Sequence, residues 1–591
     1  AAAATPQPTP AARTVLSGRV VGESGEPIPE ASVSLSRRTS GQRVMGPGNA
    51  VGADESGGFR FEGLDPGLYD VFAFMPGFVA DSDAQTGRPV GPYRAGDNVT
   101  VRLVKGGVVT GTVTDQQGQP VVSINVRAMR VRDLDGGAPA SPFPFGGEDR
   151  TDDRGVYRIY GLRPGLYVVY TGGSNNHVFG PFGSYGEVAT FYPSGTRDTA
   201  AELSVRAGQE LSGLDIRLRD DPARTVTGTV ELPPGPPGEF GVGINLNYAS
   251  TGMQAGSAFL GPNAVPRSFS FDGVADGEYD IQATANGREG TTHASAPQRV
   301  SVRGADVTGL RLALKPVASA SGTLRIEPAA EAGRPAPEAC KAVRASQLPQ
   351  ETLVTVAPAE RAAATPGRLF SRLAVPQTAT PDASGVFAVR PLEAGRYRLS
   401  VRLFDEALYV RSVQAPAPSP QRTAGAALMR ARPAPAAAAP AAAVSRDVFD
   451  VNAGQQFSGL AVRVAEGAAS FAGSVAAAEP AAGAPPPPFS QLRVHLVPQE
   501  RERAEETLRY YEAPVAGDGT FTFKNLAPGR YLVVARPFVV EPGESAPRPA
   551  ALDAGMRTLL RREAEAVNAA VELQPCQRTN DFVLRLPQAP K

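Results

Sequence analysis

Phe59-Arg60-Phe61-Glu62-Gly63-Leu64-Asp65-Pro66-Gly67-Leu68-Tyr69 is the stretch from which the fold can be read. Phe59 and Phe61 alternate with charged residues as in a half-buried strand. Tyr69, Val71 and Ala73 resume the alternation after a turn. Pro66 pre-sets φ at the first corner of that turn, and Gly67 can take the positive φ that a type II turn requires. The tyrosine is expected to bury its ring while its hydroxyl reaches a backbone group, as at the tyrosine corner of β-sandwiches.

The same pattern returns four times. Tyr157 and Ile159 lead to Gly165 and Tyr167, and Phe269 and Phe271 to Gly277 and Tyr279; Phe387 and Val389 lead to Gly395 and Tyr397, and Phe521 and Phe523 to Gly529 and Tyr531. Copies three and four lack the proline but keep the glycine. An opening element precedes each copy: Ser17-Gly18-Arg19-Val20, Thr110-Gly111-Thr112-Val113, Thr227-Gly228-Thr229-Val230, Ser321-Gly322-Thr323-Leu324 and Ala472-Gly473-Ser474-Val475. Each reads as a first strand with a glycine where backbones approach closely. Alternating segments such as Val99–Leu103, Leu214–Leu218 and Phe582–Leu586 close the units. Repetition of this kind divides the chain into a 1–13 Ala/Pro-rich arm and five units, 14–106, 107–221, 222–316, 317–468 and 469–591. The fourth carries a Pro/Ala-rich insert over 415–443. The fifth holds one helix over about 553–566, N-capped by Asp553. Short junctions, such as 103–109, point to a semi-rigid rod.

Gly-x-Val at the start, a Gly-x-Pro turn and the Phe-x-Phe…Leu-x-Pro-Gly-x-Tyr core together resemble the carboxypeptidase regulatory-like domain. The resemblance implies an all-β fold, a tandem array of about five transthyretin-like or immunoglobulin-like β-sandwiches, related to the Cna-B domains of surface proteins. Multi-copy chains of this type resemble exported proteins of Acidobacteria and related phyla. The family implies a scaffold or interaction module without a catalytic site or cofactor. Cna-B domains often carry Lys–Asn isopeptide bonds, but Lys105, Lys315, Lys341, Lys524 and Lys591 are the only lysines, and none stands in an opening strand. No such bond is expected.

Composition narrows the function. The formal net charge is zero, so nothing draws the chain to nucleic acid or anionic lipid. No apolar run reaches the length of a membrane span. The start at Ala1-Ala2-Ala3-Ala4 reads as the product of signal-peptide removal, which places the protein outside the cell or on its surface.

The search for chemistry is negative. No His-Glu-x-x-His, paired Cys-x-x-Cys, nucleophile elbow or Walker loop occurs. Asp149-Arg-Thr-Asp152-Asp153-Arg-Gly155 is the nearest approach to a calcium loop, against the reading of an ordinary solvated turn. His495 alternates with Val494 and Leu496 and is expected to face outward. Tyr170, His177, Phe179, Phe182, Tyr185, Phe191 and Tyr192 crowd a Gly-rich loop. They form either an exposed surface for a neighbouring subunit or glycan, or a loop folded back on its own sandwich. Cys340 and Cys576 either bridge the fourth and fifth units, remain free thiols or pair between chains. These features lead to a self-assembling filament or surface layer, joined through sheet edges and loops, with a monomeric adhesin for surface glycans or proteins as the alternative.

Overall fold

The computed structural model describes residues 14–39, 43–44, 50–80, 91–132, 134, 147–173, 188–232, 241–262, 264, 267–287, 290–329, 340, 348–359, 376–416, 447–476, 488–538 and 552–586. The 1–13 arm, most of the 415–443 insert, and His177, Phe179, Phe182 and Tyr185 lie outside these residues.

Each unit is a sandwich of two sheets. The opening strand lies inside the first sheet, antiparallel to the first signature strand and parallel to the closing strand: in unit 1, Gly18 is opposite Phe59 on one side and Val99 on the other. The registers repeat as Gly228 with Phe269 and Leu310, Gly322 with Phe387 and Leu460, and Gly473 with Phe521 and Phe582. Unit 2 pairs Gly111 with Tyr157, but its closing segment is split into Glu210–Leu211 and Ile216–Arg217. In the second sheet, the strand after the turn runs antiparallel to the unit's second strand, as in the pairing of Val33 with Ala73.

The opening glycine follows from this crowding. A Cβ on Gly18, Gly111, Gly228, Gly322 or Gly473 would overlap the carbonyl oxygen of Val99, Leu214, Leu310, Leu460 or Phe582 respectively. Only glycine lets the closing strand lie against the opening one.

The turn differs from the sequence expectation. Gly67 and Gly529 have φ of 151° and 153°, whereas Gly165, Gly277 and Gly395 are not among the positive-φ residues. The shared left-handed residue stands earlier in the signature: Gly63, Gly161, Gly273 and Asn525 have φ of 71°, 69°, 73° and 58°. In unit 4 that place falls to Pro391, after a cis peptide bond. The ladder to the opening strand shifts register at this point in every unit, so the residue makes a β-bulge that bends the strand toward the turn.

Each unit has its own core. In unit 1 it includes Leu16, Val20, Val33, Phe59, Phe61, Tyr69, Val71 and Val101, and units 2 to 5 have counterparts. The helix is Ala554–Val567, with Met556 N–H donating to the Asp553 carboxylate at 2.7 Å. It buries Leu560 and Ala564 against Val497, Leu532 and Val534, covering the outer face of the second sheet of unit 5.

That cover overturns the outward reading of His495, which is 7% exposed. The alternation does place His495 on the face opposite Val494 and Leu496, but the sheet there meets the helix layer rather than water. Burial, reinforced by Arg536 and Arg493, pushes the imidazole down to about 4.

Candidate functional site: the joints between sandwiches

The five signature tyrosines make one bond five times. The hydroxyls of Tyr69, Tyr167, Tyr279, Tyr397 and Tyr531 donate to the carbonyls of Asp65, Arg163, Ala275, Glu393 and Ala527, each four residues back, at 2.8, 2.8, 2.8, 3.1 and 2.7 Å. All five rings are buried. A buried phenol without an acceptor would be costly, and this bond also closes the turn.

The acidic turn at 149–155 is likewise a local device. The Asp152 carboxylate accepts from the backbone N–H of Arg154 and Val156 at 2.9 and 2.8 Å, and Asp149 from that of Arg158 at 2.9 Å. Asp54, Asp382 and Asp518 cap the same hairpin in units 1, 4 and 5. Among the described residues, no group of three or more His, Cys, Asp or Glu side chains could hold a metal ion.

The chain's unusual contacts lie between units, and in units 1 and 2 they involve the outer face of the second sheet. The residues after the signature tyrosine set the character of that face. In unit 2 the strand Gly165–Thr171 is apolar on both faces, since Val168 and Tyr170 are buried as well as Tyr167 and Val169. Tyr170 stacks on Phe191 at 4.9 Å, and Phe191 meets Tyr248 of unit 3 edge-on at 6.1 Å. Met129 and Met253 complete this cluster. Tyr170 and Phe191, 3% and 0% exposed, therefore do not form an open surface, and Tyr192 is half-buried. They seal the joint to the next sandwich. The signal for this was the unbroken run Tyr167-Val168-Val169-Tyr170, too apolar for a strand with one wet face.

Unit 1 uses charge on the equivalent face. Arg38 pairs with the buried Asp70 at 2.8 Å, and the Arg38 carbonyl accepts from Thr380 Oγ1 of unit 4 at 3.1 Å. Arg402 of unit 4 also reaches the Gly91 carbonyl at 3.5 Å. The first sandwich thus returns to the fourth. The semi-rigid rod expected from short junctions did not anticipate this contact between units far apart in sequence.

Units 4 and 5 are locked most firmly. Cys340 and Cys576 form a disulfide across 236 residues of sequence. The Asn525 amide donates to the carbonyls of Asp405 and Leu408 at 2.6 and 2.7 Å, Lys524 pairs with Glu406 at 2.7 Å, and Cys576 N–H donates to the Gly467 carbonyl at 3.1 Å. Units 3 and 4 instead leave their post-tyrosine faces polar, as in Asp280 with Arg299 and Arg398 with Asp447.

No helix among the described residues is long and apolar enough to cross a membrane. Comparison with curated proteins gives no match. Solved structures with a likeness include the Bacillus anthracis TIE protein, 13% identical over 51% of this chain and 51% of that one, with a TM-score of 0.14. This chain accordingly spans about half the length of that protein. The major pilin subunit BcpA of Bacillus cereus is 10% identical over 51% of this chain and 99% of its own, TM-score 0.12. Two B repeat units of the collagen binding protein of Staphylococcus aureus are 12% identical over 68% and 96%, TM-score 0.12. Those roles belong to those proteins, and the fold here rests on the strand pairings themselves. Residues 15–102 match the carboxypeptidase regulatory-like domain, and the four sandwiches that follow carry the same opening glycine and tyrosine bond.

Proposed function

We propose that this chain is a non-catalytic structural protein of the cell exterior, holding its sandwiches in a fixed arrangement and assembling with further copies into a filament or surface layer. The observation that carries this reading is the placing of its distinctive side chains at joints. Tyr170, Phe191 and Tyr248 cement units 2 and 3, and the Cys340–Cys576 bridge ties unit 4 to unit 5. A long-range disulfide also suits an oxidising compartment. Fixed joints favour a building block, since regular assembly needs each copy to present its surfaces at constant geometry.

Negative-stain electron microscopy of the purified protein tests the proposal. Ordered filaments or sheets are the expected result. Particles that stay single at every concentration would overturn it and favour the monomeric adhesin, which an array of surface glycans and proteins would then probe.

A further inference from the structure

The second-sheet edges differ among the five sandwiches in a way that singles out the third. In every unit a strand that follows the second strand lies at the edge of this sheet. In units 1, 2, 4 and 5 it is Ala50–Gly52, Glu148–Arg150, Gln377–Ala379 and Tyr511–Pro514, of 3, 3, 3 and 4 residues. In unit 3 it is Gln254–Leu260, 7 residues reading Gln-Ala-Gly-Ser-Ala-Phe-Leu.

Sheets guard an edge by keeping it short or by placing charge or proline on it, because an unpaired edge exposes backbone N–H and C=O groups to any passing strand. Among the described edge strands of comparable length, Gln254–Leu260 alone carries neither a charge nor a proline. Its penultimate residue, Phe259, is 55% exposed. Its register sets Ala258 and Leu260 over the core, opposite Ile244 and Val242, and Ser257 and Phe259 on the outer face, opposite Asn245 and Gly243. The Ala255 carbonyl lies beside Gly173 of unit 2, so among the described residues the stretch with no strand on its outer side runs from Gly256 to Leu260.

We infer that this edge is the docking site for the same strand of a second copy, paired antiparallel about a two-fold axis. This rests on the self-assembly proposed above and names one of its contacts. A strand meeting itself must be self-complementary, and like charges placed opposite one another destabilise such a pair. Here there are none to oppose. With the axis at Ser257, Gly256 of one copy stands opposite Ala258 of the other, so small residues face one another along the ladder. A charged partner strand would find no complementary charge on this edge. Because a two-fold contact closes on itself, it defines a pair of chains as the unit that further contacts would extend.

Sedimentation velocity of the whole protein across the micromolar range tests the inference. The native chain is expected to associate with concentration. Ser257→Lys and Ser257→Glu should each weaken that association by roughly tenfold or more, since each sets like charges face to face. An equimolar mixture of the two variants should restore it. Both substitutions fall on the outer face of the sheet, and unchanged circular dichroism would confirm that folding is intact. If the native chain assembles and Ser257→Lys assembles equally well, the edge assignment is wrong while self-assembly stands. If the native chain is a monomer throughout, both fall.

Discussion

The Tyr531 hydroxyl donates to the Ala527 carbonyl at 2.7 Å and also accepts from Arg509 at 3.2 Å. The Tyr279 hydroxyl donates to Ala275 at 2.8 Å. Tyr279→Phe should cost sandwich 3 about 1 kcal/mol, the net worth of one buried hydrogen bond. Tyr531→Phe should cost more, because the Arg509 guanidinium, which also bonds the Pro528 carbonyl at 2.7 Å, loses a partner. Hydrogen exchange resolved by peptide would read each loss in its own sandwich. Equal protection in the variants and the native chain would show that these hydroxyls do not hold the turns.

The opening glycines make a sharper prediction. Gly473→Ala drives a methyl group into the Phe582 carbonyl, which is ladder backbone and cannot swing aside, and also against the Phe521 ring. The expected cost is roughly 3 kcal/mol or more, at the upper end for overpacking. Gly243→Ala is the control, since the nearest atom to its Cβ would be Thr284 Oγ1 at 3.8 Å. Thermal unfolding should separate the two clearly, and similar melting would refute the close-approach argument.

These results mark what was legible in the sequence. The signature tyrosines and opening glycines could be read because each answers a need internal to one sandwich and therefore recurs five times. The bulge at Gly63, Gly161, Gly273 and Asn525 stood at one place in the repeated signature but was hidden by the more familiar turn glycine four residues later. The joints were harder, because each unit covers its outer face differently and repetition is silent there. Parity was the available clue. Leu532 and Val534 break the alternation after Tyr531 just as Val168 and Tyr170 do after Tyr167, and both faces are covered. Glu278, Asp280 and Gln282 keep the alternation around Tyr279, and that face stays polar. His495 was misread because one strand cannot reveal that a helix, encoded some sixty residues later, lies across its sheet.

His495 gives a pH prediction. Its imidazole is held down to about 4 in the folded chain by burial and by Arg536 and Arg493, against an ordinary value of 6.5. Between those values the unfolded chain binds a proton that the folded chain refuses, so stability is lost as pH falls from 6.5 toward 4. The loss approaches about 3 kcal/mol at the acid end. Urea unfolding of His495→Gln should lack this component. A variant with an unchanged pH profile would mean that the ring is not buried as described.

The disulfide predicts a covalent signature. On non-reducing electrophoresis the chain should run as a single monomeric band, faster than its reduced form, because the bridge closes a loop of 236 residues. A ladder of multimers would show that the cysteines pair between chains. Cys576→Ser should weaken the coupling of unit 5 to unit 4. The chain-entropy model sets the scale at about 5 kcal/mol for loops of this order, less whatever the other contacts at the joint retain.

Asn525 allows those other contacts to be measured separately. It does two jobs that its counterparts divide: its backbone takes the left-handed bulge at φ 58°, as Gly63, Gly161 and Gly273 do, and its amide reaches the Asp405 and Leu408 carbonyls of unit 4. Asn525→Gly keeps the bulge and removes only the bridge. It should leave the melting of unit 5 nearly unchanged while proteolysis at the joint quickens in the Cys576→Ser background. Asn525→Ala removes the bridge and also strains the bulge, at an added cost of about 1 kcal/mol. The difference between the variants is then the backbone contribution, and that between Asn525→Gly and the native residue is the joint. If Asn525→Gly and Asn525→Ala behave alike in both assays, the left-handed bulge is not what selects the residue.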